Sequence, residues 1–208
     1  LNLKNLVTAE MESRVMAQLR TAERWESRGR PAREDWEEDV ALFPKNYGGY
    51  QCIAWVDPAM YVRWVAPKEG NEQAQDAYLP FEDRRRSALE RAQKLRAPVI
   101  SHPLKLLQGS RGFLIVVPLF VRNAGGEEFD GYLVSAVRYK ELFDDIFREG
   151  IAAGYSVALF DGAQEIYARD TEGTWMEKGM YAEIPVKMQG VTWRLSVLPR
   201  PEGLAGRR

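Results

Sequence analysis

The sequence contains a single cysteine, Cys52, and a single histidine, His102. With one thiol no disulfide can form within the chain, and one imidazole cannot build a Cys/His zinc cluster. Cys52 lies in an apolar run, where a lone cysteine is usually a small buried hydrophobe and not a nucleophile. His102 is open to two interpretations, since it either lines a pocket or caps a turn. We expect no metal and no cofactor.

The sequence also lacks the short motifs that identify common catalytic centres. It contains no G-x-S-x-G, P-loop, G-x-G-x-x-G or H-E-x-x-H segment. The acid pairs Asp144-Asp145 and Glu127-Glu128 stand among ordinary solvation partners. We therefore predict that the chain is not an enzyme.

Charge of one sign is not in excess, because 29 basic and 30 acidic residues give a net charge of −1. A nucleic-acid-binding protein carries a basic face, so we expect no nucleic-acid partner. No run of about 18 apolar residues is present, so no segment is predicted to span a membrane. The chain starts inside a helical pattern without an initiator methionine or a signal peptide, which favours a piece of a longer protein.

Apolar residues at helical spacing over residues 3–25 predict a long amphipathic helix that ends near Gly29 and Pro31. Its apolar stripe needs a partner, which is either the domain behind it or a second copy of the chain. Both can hold, and we expect a homodimer through this helix. A shorter acidic helix is predicted over residues 32–43, ended by Pro44.

The stretch 84–139 is the centre of the predicted fold. A short helix with apolar residues at 88, 89, 92 and 95 precedes two apolar runs bounded by glycines, Phe113–Val121 and Gly131–Arg138. These runs predict adjacent strands of a buried sheet. A hairpin of strands 50–56 and 60–66 comes before them, and a helix over 140–153 follows.

The last part of the chain is rich in strand patterns, at 155–160, 164–168, 181–188 and 191–198. Antiparallel strands separated by helices predict an α+β fold. We divide the chain into helices at 1–44, a main sheet module at 45–153, a smaller β-rich module at 154–199 and a linker at 200–208.

Both central strands are apolar on both faces, so a pocket over the sheet would have a hydrophobic floor and a polar rim. Trp64 is also compatible with a core pair formed with Trp55. The residues predicted to bind a ligand are Tyr61, Arg63, Trp64, Asn71, Glu72, Arg86, Ser101, His102, Tyr132 and Ser135.

Several short motifs, in order, resemble bacterial CHASE domains over about residues 50–198. They are Trp55-Val-Asp-Pro, Val62-Arg-Trp-Val-Ala-Pro, Gly70-Asn-Glu, Arg86-Ser-Ala-Leu-Glu-Arg-Ala, Pro98-Val-Ile-Ser-His-Pro-Leu-Lys-Leu, Gly112-Phe-Leu-Ile-Val-Val-Pro-Leu-Phe and Gly131-Tyr-Leu-Val-Ser. The resemblance implies an extracytoplasmic sensor domain of a membrane signalling protein such as a histidine kinase or a diguanylate cyclase. It also implies a long N-terminal helix followed by PAS-like modules, of which the membrane-distal one binds a small ligand.

On this basis we expect a sensory domain that binds a small molecule and passes a conformational signal across the membrane to a cytoplasmic output domain. The parent protein would be anchored by segments that flank this chain. The wholly apolar strand over 112–120 argues against a purine-like ligand that needs a polar partner there. The alternative is a non-catalytic dimerisation or protein-interaction module without a small-molecule ligand.

Overall fold

The computed structural model describes residues 2–148, 151–169 and 182–200. The first helix, α1, spans Leu3–Arg28 and is about 39 Å long at 1.5 Å per residue. The side chain of Asn2 accepts a hydrogen bond from the backbone N–H of Asn5 and so caps its start. Gly29, at φ +84°, ends the helix as predicted. The stripe of α1 that is buried within the domain consists of Leu3, Val7, Met11, Arg14, Val15, Gln18, Thr21 and Trp25.

The acidic segment after α1 forms two helices where one was predicted. These are α2, Arg33–Val40, and α3, Leu42–Asn46. Pro44 lies inside α3 and does not end a helix. It occupies the first turn, where the missing N–H of proline removes no hydrogen bond.

The first sheet is antiparallel, with strand order β2-β1-β6-β5-β3 and β4 paired separately with β5. A 3-10 turn, Glu72–Ala74, and α4, Asp83–Leu95, lie between β2 and β3 in the chain. The two central runs form the longest pair, in which Ile115 is opposite Ser135. The strands are β1 Tyr50–Val56, β2 Val62–Ala66, β3 Val99–Ile100, β4 Leu104–Lys105, β5 Arg111–Asn123 and β6 Gly126–Arg138.

A smaller antiparallel sheet, in the order β8-β7-β10-β9, follows helix α5, Tyr139–Ile146. The helix is shorter than predicted. The predicted α+β fold with a long first helix and two sheets is confirmed. Tyr181 and residues 201–208 of the predicted linker lie outside the described residues. The strands of this sheet are β7 Tyr155–Asp161, β8 Gln164–Arg169, β9 Ala182–Met188 and β10 Val191–Pro199.

One hydrophobic core runs through both sheets. Phe113 of β5 contacts Tyr139 and Trp193, with ring centroids 5.0 and 5.5 Å apart, and Phe143 of α5 lies 5.6 Å from the Trp193 ring. Helix α1 also packs on β5 of the first sheet and on β9 of the second. The two sheets therefore pack against shared elements. The module boundaries at 44/45 and 153/154 remain predictions.

Candidate functional site

The first sheet carries different side chains on its two faces, because successive residues of a strand point to opposite sides. We call the side covered by α1 the α1 face and the side covered by α4 the α4 face. The α1 face carries Ile53, Trp55, Phe113, Ile115, Leu133 and Val137. The α4 face carries Cys52, Ala54, Leu114, Val116, Tyr132, Val134 and Ala136.

Four tryptophans fill one end of the α1 face, and we call them the tryptophan cluster. Trp55 and Trp64 are paired across the β1–β2 hairpin with ring centroids 4.6 Å apart. Trp25 of α1 packs on both of these rings, at 5.9 and 6.1 Å, and Trp36 of α2 lies 5.6 Å from Trp64. The cluster belongs to the core, so Trp64 faces away from the α4 side of the sheet.

Asp130, at the start of the buried part of β6, fixes the end of α1. Its carboxylate accepts a hydrogen bond from Trp25 Nε1 at 2.7 Å and two from the guanidinium of Arg30. Its carbonyl oxygen accepts another from Trp55 Nε1 at 3.0 Å. This buried carboxylate, the Asp130 clamp, joins the helix end, the hairpin and β6 in one polar contact.

The α4 face borders a partly open cavity of about 30 Å³, which we call the α4-face cavity. The side chains that border this space are small, as at Ala54 and Ala136 on the strands and Ala74 in the 3-10 turn. On the α1 face, aromatic rings fill the corresponding space above the strands. The volume accommodates no more than a few heavy atoms. The lining residues are Cys52, Ala54, Val62, Ala74, Leu79, Arg85, Leu106, Leu107, Gln108, Leu114, Val134 and Ala136.

Arg85 is the charged residue of the cavity wall. It is 1% exposed, and its guanidinium lies 4.7 Å from the ring centroid of Phe81. Nη2 donates to the carbonyl oxygen of Lys105 at 2.5 Å, and Nε lies 3.4 Å from Oε2 of Glu82. Burial lowers the pKa of Arg85, an effect that the nearby Glu82 carboxylate opposes.

A group of amides borders the same cavity. Gln108 Nε2 donates to Oδ1 of Asn71 at 2.6 Å and lies 3.8 Å from Sγ of Cys52. Gln51 donates to the same Asn71 oxygen, while Asn71 Nδ2 donates to the Pro67 carbonyl at 2.9 Å. Asn71 therefore ties the loop after β2 to the β4–β5 turn at the edge of the cavity. Burial raises the pKa of Cys52 to about 12, so its thiol stays protonated.

Tyr61 before β2, Arg63 in β2 and Glu72 in the loop after β2 lie outside the cavity lining. The Tyr61 ring lies 5.2 Å from the Tyr78 ring in a tilted arrangement, and Arg63 donates to Asp57 at 2.6 Å on the surface. Glu72 accepts from the backbone N–H of Gly70, and backbone hydrogen bonds lower the pKa of its carboxyl group.

The other predicted residues are divided among different surroundings. Arg86 has a side chain 49% exposed and donates to the Pro80 carbonyl. Tyr132 is on the α4 face, donates to Gln93, and has a pKa raised to about 12 by burial. Ser135 is paired with Ile53 and Ile115 and so faces α1. Of the ten residues, Asn71 contacts the cavity lining through Gln108, and Ser101 contacts it through the backbone of Leu114.

Ser101 and His102 lie in an open groove of about 250 Å³ between α4 and β3. The hydroxyl of Ser101 donates to the His102 carbonyl and accepts from the Leu114 N–H. His102 Nδ1 lies 3.0 Å from the carboxylate of Asp161, on the second sheet. Arg84 and Arg91 of this groove likewise donate to carbonyl oxygens, those of Pro103 and Gly190. The groove is larger than the cavity, but its polar side chains already have partners within the domain, and those of His102 and Arg91 reach the second sheet.

Sequence reasoning missed Arg85, Gln108 and Cys52 as cavity residues. A signal for Arg85 was present, because it precedes Ala88, Leu89 and Ala92 by three, four and seven residues. This spacing places it on the buried stripe of α4. Leu95, which the pattern assigns to that stripe, is 59% exposed at the end of the helix.

A sequence model described as CHASE domain matches residues 5–170 of the chain. Among the described residues no helix is both long and apolar enough to cross a membrane. No curated protein sequence gives a significant match.

Solved structures with the same fold are sensor domains. An extracellular ligand binding receptor from Desulfohalobium retbaense has a TM-score of 0.71 at 17% identity, covering 94% of this chain and 38% of its own. The ligand binding domain of the Pseudomonas aeruginosa amino acid chemoreceptor PctB, in complex with L-Gln, has a TM-score of 0.64 at 11% identity, covering 99% and 90%. The Vibrio cholerae LuxQ periplasmic domain has a TM-score of 0.53 at 11% identity, covering 96% and 98%.

Proposed function

Because the chain belongs to the CHASE domain family, we propose that it is the small-molecule-binding sensory domain of a membrane receptor. Its ligand binds in the α4-face cavity. The observation that carries this proposal is the position of the cavity on strands β1, β5 and β6, whose opposite face packs on α1. A ligand that moves these strands acts on α1 and, through Phe113, on the second sheet.

The cavity must widen to admit a ligand much larger than a few heavy atoms. The segments that can move are the loop over residues 67–82 and the β4–β5 turn over 106–110. Both meet at the contact between Asn71 and Gln108. A ligand shifts the receptor only if it binds the widened form more tightly than the closed one.

A thermal-shift screen of small metabolites tests ligand binding. We expect a compound to stabilise the wild-type chain and the Ala163→Leu variant, whose substituted residue is exposed on the β7–β8 turn. The same compound should not stabilise Ala136→Leu, which fills the cavity. If no compound of any charge stabilises the wild type, small-molecule sensing is wrong and the ligand-free interaction module takes its place.

We also propose that the domain is extracytoplasmic and anchored by flanking membrane segments. It would signal to a cytoplasmic output domain, such as a histidine kinase or a diguanylate cyclase. Relatives of known structure are periplasmic or extracellular domains, which supports this location. Protease added to cells that produce the full-length protein should cleave this domain while the cytoplasmic membrane is intact, once any outer membrane has been permeabilised. We propose that the domain binds its ligand without turnover, so that ligand recovered after incubation is unchanged.

A homodimer through α1 remains part of the proposal. The apolar stripe of the helix is buried in its own domain, so pairing must use the outer surface, where Met16 is 46% exposed. Sedimentation equilibrium should show a dimer for the wild type and a weaker dimer for Met16→Lys. A monomer at all concentrations would contradict this arrangement.

A further inference from the structure

Arg85 places a buried positive charge at the wall of the α4-face cavity. A guanidinium has five N–H donors, and here one of them makes a hydrogen bond, to the Lys105 carbonyl. Nε is buried and has no hydrogen-bond partner in the part of the chain that the structure describes. Within the described residues this side chain therefore makes one hydrogen bond and one longer ion-pair contact, that of Nε with Glu82.

The neighbouring carboxylate compensates the charge only in part. Glu82 lies 3.4 Å from Nε, which is longer than a good charged hydrogen bond, and its side chain is 38% exposed. The Phe81 ring adds a cation–π contact but accepts no strong hydrogen bond. Buried charges in proteins are normally paired and fully hydrogen-bonded. An anion on the cavity side of Arg85 would complete this pairing.

The remaining walls indicate which kind of anion fits. Ala54, Leu79, Leu114, Val134 and Ala136 present only hydrocarbon to the cavity. An inorganic phosphate would place unpaired oxygens against these walls, at a large desolvation cost. A carboxylate instead presents two oxygens to the guanidinium in the bidentate geometry that arginine favours, and its alkyl end meets the apolar walls.

We propose that the α4-face cavity, after slight widening, binds a short monocarboxylate of about two to four carbon atoms, since the closed form holds only a few heavy atoms. Its carboxylate pairs with Arg85, and its alkyl end lies against Ala54 and Ala136. This assignment rests on the proposed function, since it names the chemical class of ligand for the same cavity.

Isothermal titration in a carboxylate-free buffer tests the assignment with acetate, propionate and butyrate. Propionamide serves as the neutral isostere and inorganic phosphate as the anion without an alkyl group. We expect at least one of the three carboxylates to bind. Propionamide should bind at least tenfold more weakly than propionate, and phosphate should not bind, because the charge and the alkyl end are both recognised.

Three variants separate the roles of charge and space. Arg85→Gln should weaken carboxylate binding by about 10- to 100-fold, the usual effect of losing a charged hydrogen bond. Arg86→Gln, which changes an exposed arginine one residue away, should keep wild-type affinity. If Arg85→Gln does not fold, Arg85→Lys replaces it. This variant keeps the charge but loses the bidentate geometry, so it should bind the carboxylate more weakly than the wild type does. Ala136→Leu should abolish binding without a change of charge.

The outcomes distinguish this assignment from the proposed function. If propionamide binds as tightly as propionate, or Arg85→Gln leaves the affinity unchanged, the anionic ligand is wrong. If only neutral or cationic compounds from the metabolite screen bind, and Ala136→Leu blocks them, small-molecule sensing stands and the carboxylate assignment falls. If nothing of any charge binds the wild type, both are wrong.

Discussion

The two faces of the first sheet are built on the same strands, but their side chains differ in size. On the α1 face, the tryptophan cluster and the aromatic contacts of Phe113 fill the space under the helix. On the α4 face, alanines at 54, 74, 88, 92 and 136 occupy much of the contact region, and a cavity remains. Large rings fill the space on one face, whereas short side chains leave free space on the other.

The comparison also applies to polar groups. On the α1 face the buried carboxylate of Asp130 accepts hydrogen bonds from Trp25 and from the positively charged Arg30, so its charge is compensated. On the α4 face the buried guanidinium of Arg85 makes one hydrogen bond to the part of the chain that the structure describes, and its Nε lies 3.4 Å from the half-exposed Glu82 carboxylate. A satisfied buried charge stabilises one arrangement of the chain, whereas an unsatisfied one leaves a place for a ligand group.

The largest effect is expected from truncation in the tryptophan cluster. Trp25→Ala removes a fully buried ring and its hydrogen bond to Asp130, and should lower the free energy of unfolding by about 3–5 kcal/mol. Leu79→Ala, at the cavity wall, should cost less, because one side of Leu79 already lacks packed neighbours. Urea unfolding curves measure both, and equal losses would contradict the proposed difference between the faces.

Removal of the Asp130 carboxylate should have the next largest effect. Asp130→Ala leaves Trp25 Nε1 without its acceptor and Arg30 without its ion-pair partner, at a cost of about 2–3 kcal/mol. The control is Glu26→Ala, which breaks the surface ion pair with Arg122 and should cost less than about 1 kcal/mol. Chemical denaturation of the two variants side by side gives the answer, and a small loss for Asp130→Ala would show that the clamp is dispensable.

Matched additions of methyl groups compare the free space on the two faces. Ala66→Val, on the α1 face, overfills a packed region and should destabilise by about 1–3 kcal/mol. Ala136→Val, on the α4 face, adds the same atoms to the cavity wall and should change stability by less than about 1 kcal/mol. The midpoints of thermal unfolding rank the two variants, and the reverse order would be evidence against an adaptable α4 face.

The last prediction concerns the pH dependence of stability at the cavity wall, measured over a single pH unit. Burial raises the pKa of Cys52 to about 12, above its ordinary value of 9.0. Between these values the unfolded thiol has lost its proton and the folded thiol has kept it. The free energy of unfolding therefore falls by roughly 1 kcal/mol per pH unit as pH rises from about 9 toward 12. This contribution is present below pH 9 and lost toward pH 12.

Cys52→Ala lacks this contribution. Its stability should therefore fall less steeply than that of the wild type between about pH 9.5 and 10.5. The difference between the two slopes should nearly equal the contribution of the thiol. The buried tyrosines are common to both proteins, so their titration cancels in the difference. Urea unfolding at each pH gives the free energy of unfolding of both proteins. If the two proteins show the same pH dependence, the Cys52 thiol is hydrated in the folded state.

Much of the fold could be predicted from sequence patterns, because the physical signals are local. The glycine-bounded runs that form β5 and β6 are apolar throughout, as in strands covered on both sides. The periodicity of α1 and its end at Gly29 follow from helix geometry and the freedom of glycine at positive φ. The interruption of the helix between α2 and α3 was not evident from the sequence, since proline is also accepted in the first turn of a helix.

The site was harder to predict for a related reason. A strand that is apolar on both faces does not reveal which face meets α1 and which meets α4. Ser135 and Trp64 were therefore grouped with residues from the opposite side of the sheet. Arg85 and Arg86 are adjacent in the sequence but about 100° apart around α4, so that one is buried and the other exposed.

Helix α1 is packed along its length from Leu3 to Trp25, and its C-terminal end is also held by a buried carboxylate. The Asp130 clamp holds it at Trp25, and about 33 Å of helix extends from there to Leu3. A tilt of about 5° around the clamp displaces Leu3 by about 3 Å, since displacement grows with distance along a rigid helix. A shift of about 1.5 Å at the middle of α1 thus corresponds to about 3 Å at Leu3, and the same helix also packs on β9 of the second sheet.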